Sequence, residues 1–309
     1  MALLFKSEID RADLWAEALR GCAPDLEVRV WPEAGEPSEI EYALVWKPSQ
    51  GLLKSYPNLK LIFSLGAGVD HLTSDSELPE GVPVLRMVEP GLTAGMTEYV
   101  VMSVLMHHRR MVDYAGMQRD RVWEVLPTPL AADRKVGVMG LGVLGADAAG
   151  ALAGLGFDVA GWSRSPKSVP GVAAFHGAEE FEPFLARSEI LVCLLPLTAE
   201  TRGILNARTL AQLPRGAALI NVGRGELLVE DDLLPALDGG QVAAATLDVF
   251  SSEPLASEHA FWTHPRVIMT PHCASITVPD SGARAVVENI RRFEAGEALL
   301  HVADLGRGY

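Results

Sequence analysis

Short apolar runs alternate with amphipathic stretches from the first residues onward. Leu3-Leu4-Phe5, Val28-Arg29-Val30, Tyr42-Ala43-Leu44-Val45-Trp46, Leu61-Ile62-Phe63 and Val84-Leu85 are each too short for a helix, and segments of helical spacing separate them. Strands alternating with helices predict a parallel sheet covered by helices, an α/β architecture. Several runs stop at turn chemistry, as in Trp46-Lys47-Pro48 and Leu65-Gly66-Ala67-Gly68. Such loops belong at the C-terminal edge of the sheet, where open α/β sheets bind ligands.

From about Thr97 to Arg119 the strand signals give way to one helix pattern, with Tyr99, Met102, Leu105, Met106 and Met111 spaced for an apolar face. The following Trp123-Glu124-Val125-Leu126-Pro127-Thr128-Pro129 has no element of its own. It reads either as a plain surface loop or as an arm that packs on a second subunit. A second series of strands then begins at Lys135-Val136-Gly137-Val138-Met139. It continues at Asp158–Trp162, Ile190–Leu195, Ala217–Asn221, Ala243–Leu247 and Val267–Met269. These near-continuous apolar runs are those of strands buried on both faces. A helix pattern through Val286, Val287, Ile290 and Phe293 closes the chain.

Composition narrows the partners. A chain of 309 residues is long enough for two domains, and 49% hydrophobic with 21% charged residues is the balance of a folded, soluble protein. The net charge of −14 repels polyanions, so nucleic acid is not expected as a partner. No run approaches the ~20 apolar residues of a membrane span, so no membrane association is expected. Cys22, Cys193 and Cys273 lie far apart, without disulfide or metal-ligand spacing, which argues for the cytoplasm and against a metal site. His107-His108-Arg109-Arg110 sits in the helix pattern, where four successive residues point around the axis, and reads as a solvated face. The acidic run Glu230-Asp231-Asp232 opens a helix and suits its dipole.

The sharpest motif is Gly140-Leu141-Gly142-Val143-Leu144-Gly145, placed directly after a strand and before an alanine-rich helix at 146–155. In that context the first glycine permits a tight turn, the second lets backbone approach a pyrophosphate, and the third allows close helix packing. The helix N-terminus adds donors and positive potential. A site for NAD would place an acid at the end of the next strand, about 20 residues on. Ser163-Arg164-Ser165-Pro166-Lys167 stands there instead, with Arg164 and Lys167 able to pair with a 2′-phosphate. NADPH is therefore the expected cofactor, with NADH as a possible second. Asp158 is acidic but sits at the strand's start.

Three further residues follow strands of the same sheet. They are Arg224 in Asn221-Val222-Gly223-Arg224-Gly225, Glu253 in Asp248-Val249-Phe250-Ser251-Ser252-Glu253-Pro254-Leu255, and His272 in Thr270-Pro271-His272-Cys273-Ala274. An anion binder, a carboxylate and a proton carrier are what the reduction of a 2-oxo acid requires.

Through G-L-G-V-L-G, N-V-G-R-G, D-V-F-x-x-E-P-L and P-H-x-A-x-x-T, the last running from Pro271 to Thr277, the whole chain resembles the D-2-hydroxyacid dehydrogenase family. Tyr42–Trp46, Leu65-Gly66-Ala67-Gly68-Val69-Asp70, Gly161-Trp162-Ser163-Arg164 and the ending Arg307-Gly308-Tyr309 resemble its glyoxylate/hydroxypyruvate reductase branch. The resemblance implies two Rossmann-like, doubly wound parallel-sheet domains with the active site in a cleft. A flavodoxin-like substrate domain would span 1–99 and 276–309, and a dinucleotide-binding domain 100–275. It implies NADPH-dependent reduction of glyoxylate and hydroxypyruvate to glycolate and D-glycerate, by a homodimer. His272 would be the general acid, since an ordinary imidazole gives and regains a proton near neutrality. Glu253 would orient it, and Arg224 would hold the substrate carboxylate and polarise the carbonyl. Ala67, Gly68 and Val69 would bind the carboxylate through backbone amides, and Trp46 would line a small pocket. Leu195, Pro196, Asn221, Val222, Gly223 and Asp248 would lie along the cofactor. Two other readings remain open at this point: a dehydrogenase of a larger acid such as phenylpyruvate, and a non-catalytic dinucleotide sensor resembling a corepressor.

Overall fold

The apolar runs of the first hundred residues become five parallel strands: β1 (Ala2–Lys6), β2 (Glu27–Val30), β3 (Ile40–Val45), β4 (Leu61–Ser64) and β5 (Val84–Leu85). Their order across the sheet is β2-β1-β3-β4-β5, a flavodoxin-like winding. The computed structural model describes residues 1–309 and divides into two compact units, Met1–Leu92 with Ile276–Tyr309, and Thr93–Ser275. In the first unit β1 is buried along its whole length, as a strand covered on both faces must be. Helix α1 (Ala12–Cys22) buries Trp15 and Leu19, and α2 (Asp70–Thr73) is a single turn after β4.

Two further helices come next in the chain, α3 (Pro90–His108) and α4 (Met111–Asp120), followed by α5 (Val143–Gly154), α6 (Phe181–Arg187), α7 (Ala207–Gln212) and α8 (Glu230–Asp238). The last helix, α9 (Pro279–Glu294), returns to the first unit and packs on α1, burying Ala283, Val286, Val287 and Ile290. A Cβ on Gly282 would stand 2.4 Å from the Trp15 ring, so the two helices meet this closely only because the position has no side chain. Fully burying each of Val286, Val287 and Ile290 stabilises the unit by roughly 1.5–3 kcal/mol.

The second unit holds seven parallel strands: β6 (Lys135–Met139), β7 (Asp158–Ser163), β8 (Ala173–His176), β9 (Ile190–Cys193), β10 (Ala217–Asn221), β11 (Val242–Leu247) and β12 (Val267–Met269). Their order is β12-β11-β10-β9-β6-β7-β8. The chain winds outward from β6 through β7 and β8 on one side and from β9 to β12 on the other. The direction therefore reverses between β6 and β9, and the crevice at the C-terminal ends of those strands is where such folds bind ligands. No helix is long and apolar enough to cross a membrane.

Three sequence expectations need correction in this unit. The single helix expected over 97–119 is two, because Arg110 adopts a left-handed backbone (φ 59°) that ends α3 and starts α4. The face of α3 turned inward carries Met96, Tyr99, Val100 and Val104, whereas Met102, Leu105 and Met111 are exposed. His107 and His108 continue that inward face one turn later and are not solvated. His107 Nε2 lies 2.9 Å from the Thr246 hydroxyl on β11, and the buried His108 ring meets Phe157 edge-on. Burial pushes the imidazole of His107 down to about 4, and it lowers His108 as well. Strand β8 has no counterpart among the predicted runs: it is a mostly exposed edge strand, Ala-Ala-Phe-His, without the apolar continuity of the others.

Candidate active site

The glycine loop links β6 to α5 at the winding reversal. Gly140 has φ 99°, a conformation only glycine adopts without strain, and its N–H donates to Trp162 O at the end of β7 at 2.8 Å. A Cβ on Gly145 would fall 1.8 Å from Gly140 O, so this glycine lets the helix close on the turn. Gly142 differs: it caps α5, and a Cβ there would meet nothing within 4 Å. The turn thus leaves an open cradle in front of a three-turn helix N-terminus, with backbone donors exposed to it, and this fits a dinucleotide pyrophosphate. Leu141 turns away and packs under Gly161, where a Cβ would be 2.5 Å from its methyl. Val143 is exposed at the start of α5, and Leu144 packs partly into the core.

Beyond the glycine loop, Ser163 ends β7 buried and donates to Ser165 O at 2.8 Å, while Arg164 and Lys167 are exposed. Arg164 Nη1 stands 3.8 Å from Glu200 Oε2, a neighbour the sequence did not reveal because it follows a different strand, β9. Asp158, at the strand's start, pairs with Arg187 at 2.6 Å and is not involved in the loop. Leu195 is buried, and Pro196 O accepts from the Thr201 hydroxyl at 2.7 Å, which fixes the turn after β9.

The loops after β10, β11 and β12 leave adjacent strands at the same edge. Asn221 is fully buried; its amide Nδ2 donates to Arg224 O at 3.0 Å and its Oδ1 accepts from Gly223 N at 3.3 Å, which shapes the turn that presents Arg224. Val222 is buried, and the Arg224 guanidinium also donates to Gly223 O at 2.8 Å. The next residue, Gly225, was not singled out from the sequence. A Cβ on it would lie 1.8 Å from the Phe250 carbonyl carbon, so the β10 loop runs in backbone contact with the β11 loop. Phe250 N in turn donates to Glu253 Oε1 at 3.2 Å, and Glu253 Oε2 lies 2.9 Å from His272 Nδ1. Arg224, Glu253 and His272 therefore sit on three loops that are knitted together, and Nδ1 of the imidazole is committed to the carboxylate.

Asp248 organises the third loop. Almost wholly buried, its carboxylate accepts from the Thr270 hydroxyl at 2.6 Å and from the amides of Cys273 and Ala274, each at 2.9 Å. Its carbonyl accepts from His272 N at 2.8 Å. Burial pushes the Asp248 carboxyl up, opposed by those donors and by the nearby imidazole. His272 itself has φ 52°. A side chain in that left-handed region costs roughly 1–2 kcal/mol, and the hydrogen bonds on either side hold it there.

In the first unit, the loop after β4 carries Ala67, Gly68 and Val69. The Ser64 hydroxyl donates to Gly68 O at 2.9 Å, and Val69 is buried. The Trp46 ring lies over Gly66, where a Cβ would be 2.7 Å from it, and 4.5 Å from the His71 ring. Thr277, which closes the last motif and had no assigned role, donates its hydroxyl to Leu65 O at 2.5 Å and steadies this same loop.

The chain is similar to known proteins along its whole length. Residues 101–274 match the NAD-binding domain of the D-isomer specific 2-hydroxyacid dehydrogenases. Glyoxylate/hydroxypyruvate reductase A of Yersinia enterocolitica is 42% identical over the full length of both chains, and that of Serratia proteamaculans 43%. Among solved structures, a D-isomer specific 2-hydroxyacid dehydrogenase of Xanthobacter autotrophicus in complex with NADPH superposes with a TM-score of 0.96 at 48% identity, covering 100% of this chain and 99% of that one. The NADPH-dependent glyoxylate/hydroxypyruvate reductase of Sinorhizobium meliloti, in complex with NADP and sulfate, gives 0.92 at 42%, with the same coverage. With an NAD-binding domain matched over more than half its length and relatives this similar from end to end, the chain belongs to the D-isomer specific 2-hydroxyacid dehydrogenase family.

Proposed function

We propose that this protein reduces small 2-oxo acids with NADPH, glyoxylate to glycolate and hydroxypyruvate to D-glycerate. The observation that carries the reading is the 2.9 Å contact between His272 Nδ1 and Glu253 Oε2, on loops at the same sheet edge as the glycine cradle. Pure dinucleotide binding has no use for an oriented proton carrier. Relatives at 42–48% identity that are named for this reaction, or that hold NADPH, support the same substrate class and cofactor.

Bound at the cradle by the backbone of Gly140–Gly145, NADPH would supply a hydride to C2 of the acid. His272, with Nδ1 engaged by Glu253, gives its Nε2 proton to the carbonyl oxygen as the charge on that oxygen grows. The Arg224 guanidinium pairs with the substrate carboxylate and polarises the carbonyl. The neutral imidazole then regains a proton from water. Ala67, Gly68 and Val69 are assigned to the carboxylate, Trp46 to the limit on substrate size, and Asn221 and Asp248 to the nicotinamide side. Arg164, with Lys167, is assigned to the 2′-phosphate, in competition with Glu200.

The exposed arm supports a homodimer. Trp123 is fully exposed, Val125 is 84% exposed and Leu130 74%, and Met102, Leu105 and Met111 on α3 and α4 are also exposed. Apolar exposure on this scale is costly unless another surface covers it. Light scattering on the purified chain should return twice the monomer mass. Three free thiols support the cytoplasm as its compartment.

The direct test is NADPH oxidation across a panel of 2-oxo acids. Glyoxylate and hydroxypyruvate should be the best substrates. Turnover confined to bulky acids such as phenylpyruvate would overturn the small-pocket reading, and NADPH binding without turnover of any acid would favour a sensor.

A further inference from the structure

We infer that Tyr99 and Thr270 are positioning residues for the proton-donating imidazole: a hydrogen-bond chain from the Tyr99 phenol through the Thr270 hydroxyl to the Asp248 carboxylate fixes the loop that carries His272. The inference rests on the reading of His272 as the acid, but its geometry is independent of the substrate.

The direction of the chain follows from counting protons. Asp248 receives two backbone amides, one on each oxygen, and the Thr270 hydroxyl at 2.6 Å, so its carboxylate acts only as an acceptor. The single proton of Thr270 is spent on Asp248. Tyr99 Oη, 2.5 Å from Thr270 Oγ1, must then donate to it. Both ends are buried, with Tyr99 8% and Asp248 1% exposed, and in such surroundings each bond of a chain polarises the next. Burial raises the Tyr99 phenol to about 12, which keeps it a donor throughout the neutral range.

The shape of this loop explains why this matters for His272. Its donors to Asp248 come from residues 270, 273 and 274, on both sides of the imidazole, and Thr270 supplies the one that is a side chain. The other fixed points are His272 N on Asp248 O and on Thr270 O, at 2.8 and 3.1 Å. Thr270 is thus the pivot at which the loop begins, and α3 locks that pivot through Tyr99. Without the lock, the left-handed backbone at His272 can relax and carry the ring away from Glu253. The groups that face Asp248 are the His272 imidazole, the Cys273 thiol, the Tyr99 phenol and the Thr270 hydroxyl.

The test combines Thr270→Val, Thr270→Ser, Tyr99→Phe and the double variant Tyr99→Phe/Thr270→Val, with two readouts. The first is kcat against KM for glyoxylate reduction, with thermal melts as a check on folding. We expect Thr270→Val to lower kcat about 10- to 100-fold with KM changed less than about threefold, and Thr270→Ser to restore it. Tyr99→Phe should lower kcat about 3- to 10-fold alone and not further in the Thr270→Val background, because the phenol acts only through that hydroxyl. The second readout needs no turnover: the low-field Nδ1 proton resonance of His272, assigned by its loss in His272→Ala, should broaden or move upfield in Thr270→Val. Wild-type kcat and an unmoved resonance in both single variants would overturn the inference, as would effects that multiply in the double variant. If His272→Ala retains full turnover, the acid reading fails, while the resonance in Thr270→Val still decides whether this chain holds the ring.

Discussion

Gly225 offers the most quantitative handle on the arrangement. A Cβ at this position would lie 1.8 Å from the Phe250 carbonyl carbon, 2.1 Å from its oxygen and 2.3 Å from Ser251 N. Ordinary contact begins at 3.4 Å, so Gly225→Ala must push the two loop backbones apart by 3.4 − 1.8 = 1.6 Å, and neither offers a flexible side chain that could absorb the change. One backbone presents Arg224; the other, through Phe250 N, holds Glu253 Oε1 at 3.2 Å and thereby His272. Displacing one catalytic group by about 1 Å can cost about 100-fold, and overpacking typically costs ~1–3 kcal/mol of stability. The expected outcome is kcat/KM on glyoxylate lowered about 100-fold, a Tm lowered by several degrees, and a Kd for NADPH, read by fluorescence quenching, within about threefold of wild type. A folded variant that melts above the assay temperature and keeps wild-type kcat/KM would refute the idea that this contact sets the spacing of the loops that carry Arg224 and Glu253.

Gly142→Ala makes the opposite split: its Cβ meets nothing in the protein, so Tm should stay within a few degrees while NADPH affinity falls at least about 10-fold, and unchanged affinity would remove the pyrophosphate from the cradle. For Arg164→Ala, kcat/KM with NADPH should drop about 10-fold and with NADH hardly at all; an unchanged preference would take the 2′-phosphate away from this residue. The depressed imidazole of His107 sets a pH dependence of stability. Because its folded value of about 4 lies below the unfolded one, its contribution is complete above pH ~6.5 and is lost as pH falls towards 4, by up to about 3 kcal/mol. His107→Gln should flatten the fall of Tm between pH 7 and 4.5, and an equally steep fall in the variant would place the effect elsewhere.

What could be read from the sequence follows from how local each signal is. Buried parallel strands are continuous apolar runs, so six of the seven strands in the dinucleotide-binding unit announce themselves; β8, exposed at the edge, does not need that pattern and lacks it. The glycine loop is legible because turn, approach and packing are demands on consecutive residues. The break between α3 and α4 is not, because Arg110 takes a left-handed backbone and no glycine marks it. His107 and His108 look like a solvated face until the inward side of α3 is known to run through Tyr99, Val100 and Val104. Contacts between distant segments leave no trace in spacing: Gly225 on Phe250, Glu200 beside Arg164, Tyr99 on Thr270. His272 and Glu253, 19 positions apart, were legible as polar residues after strands of one sheet, and their roles through the resemblance of their motifs to those of a family; the 2.9 Å contact between them is visible only in the structure.

The central claim is that His272 delivers a proton to the substrate while NADPH delivers the hydride. Its most direct test is NADPH oxidation with glyoxylate by wild type and His272→Ala, alongside NADPH titration of both proteins. Turnover should fall about 100- to 10,000-fold in the variant with NADPH affinity preserved. A variant that reduces glyoxylate as fast as wild type would contradict the account.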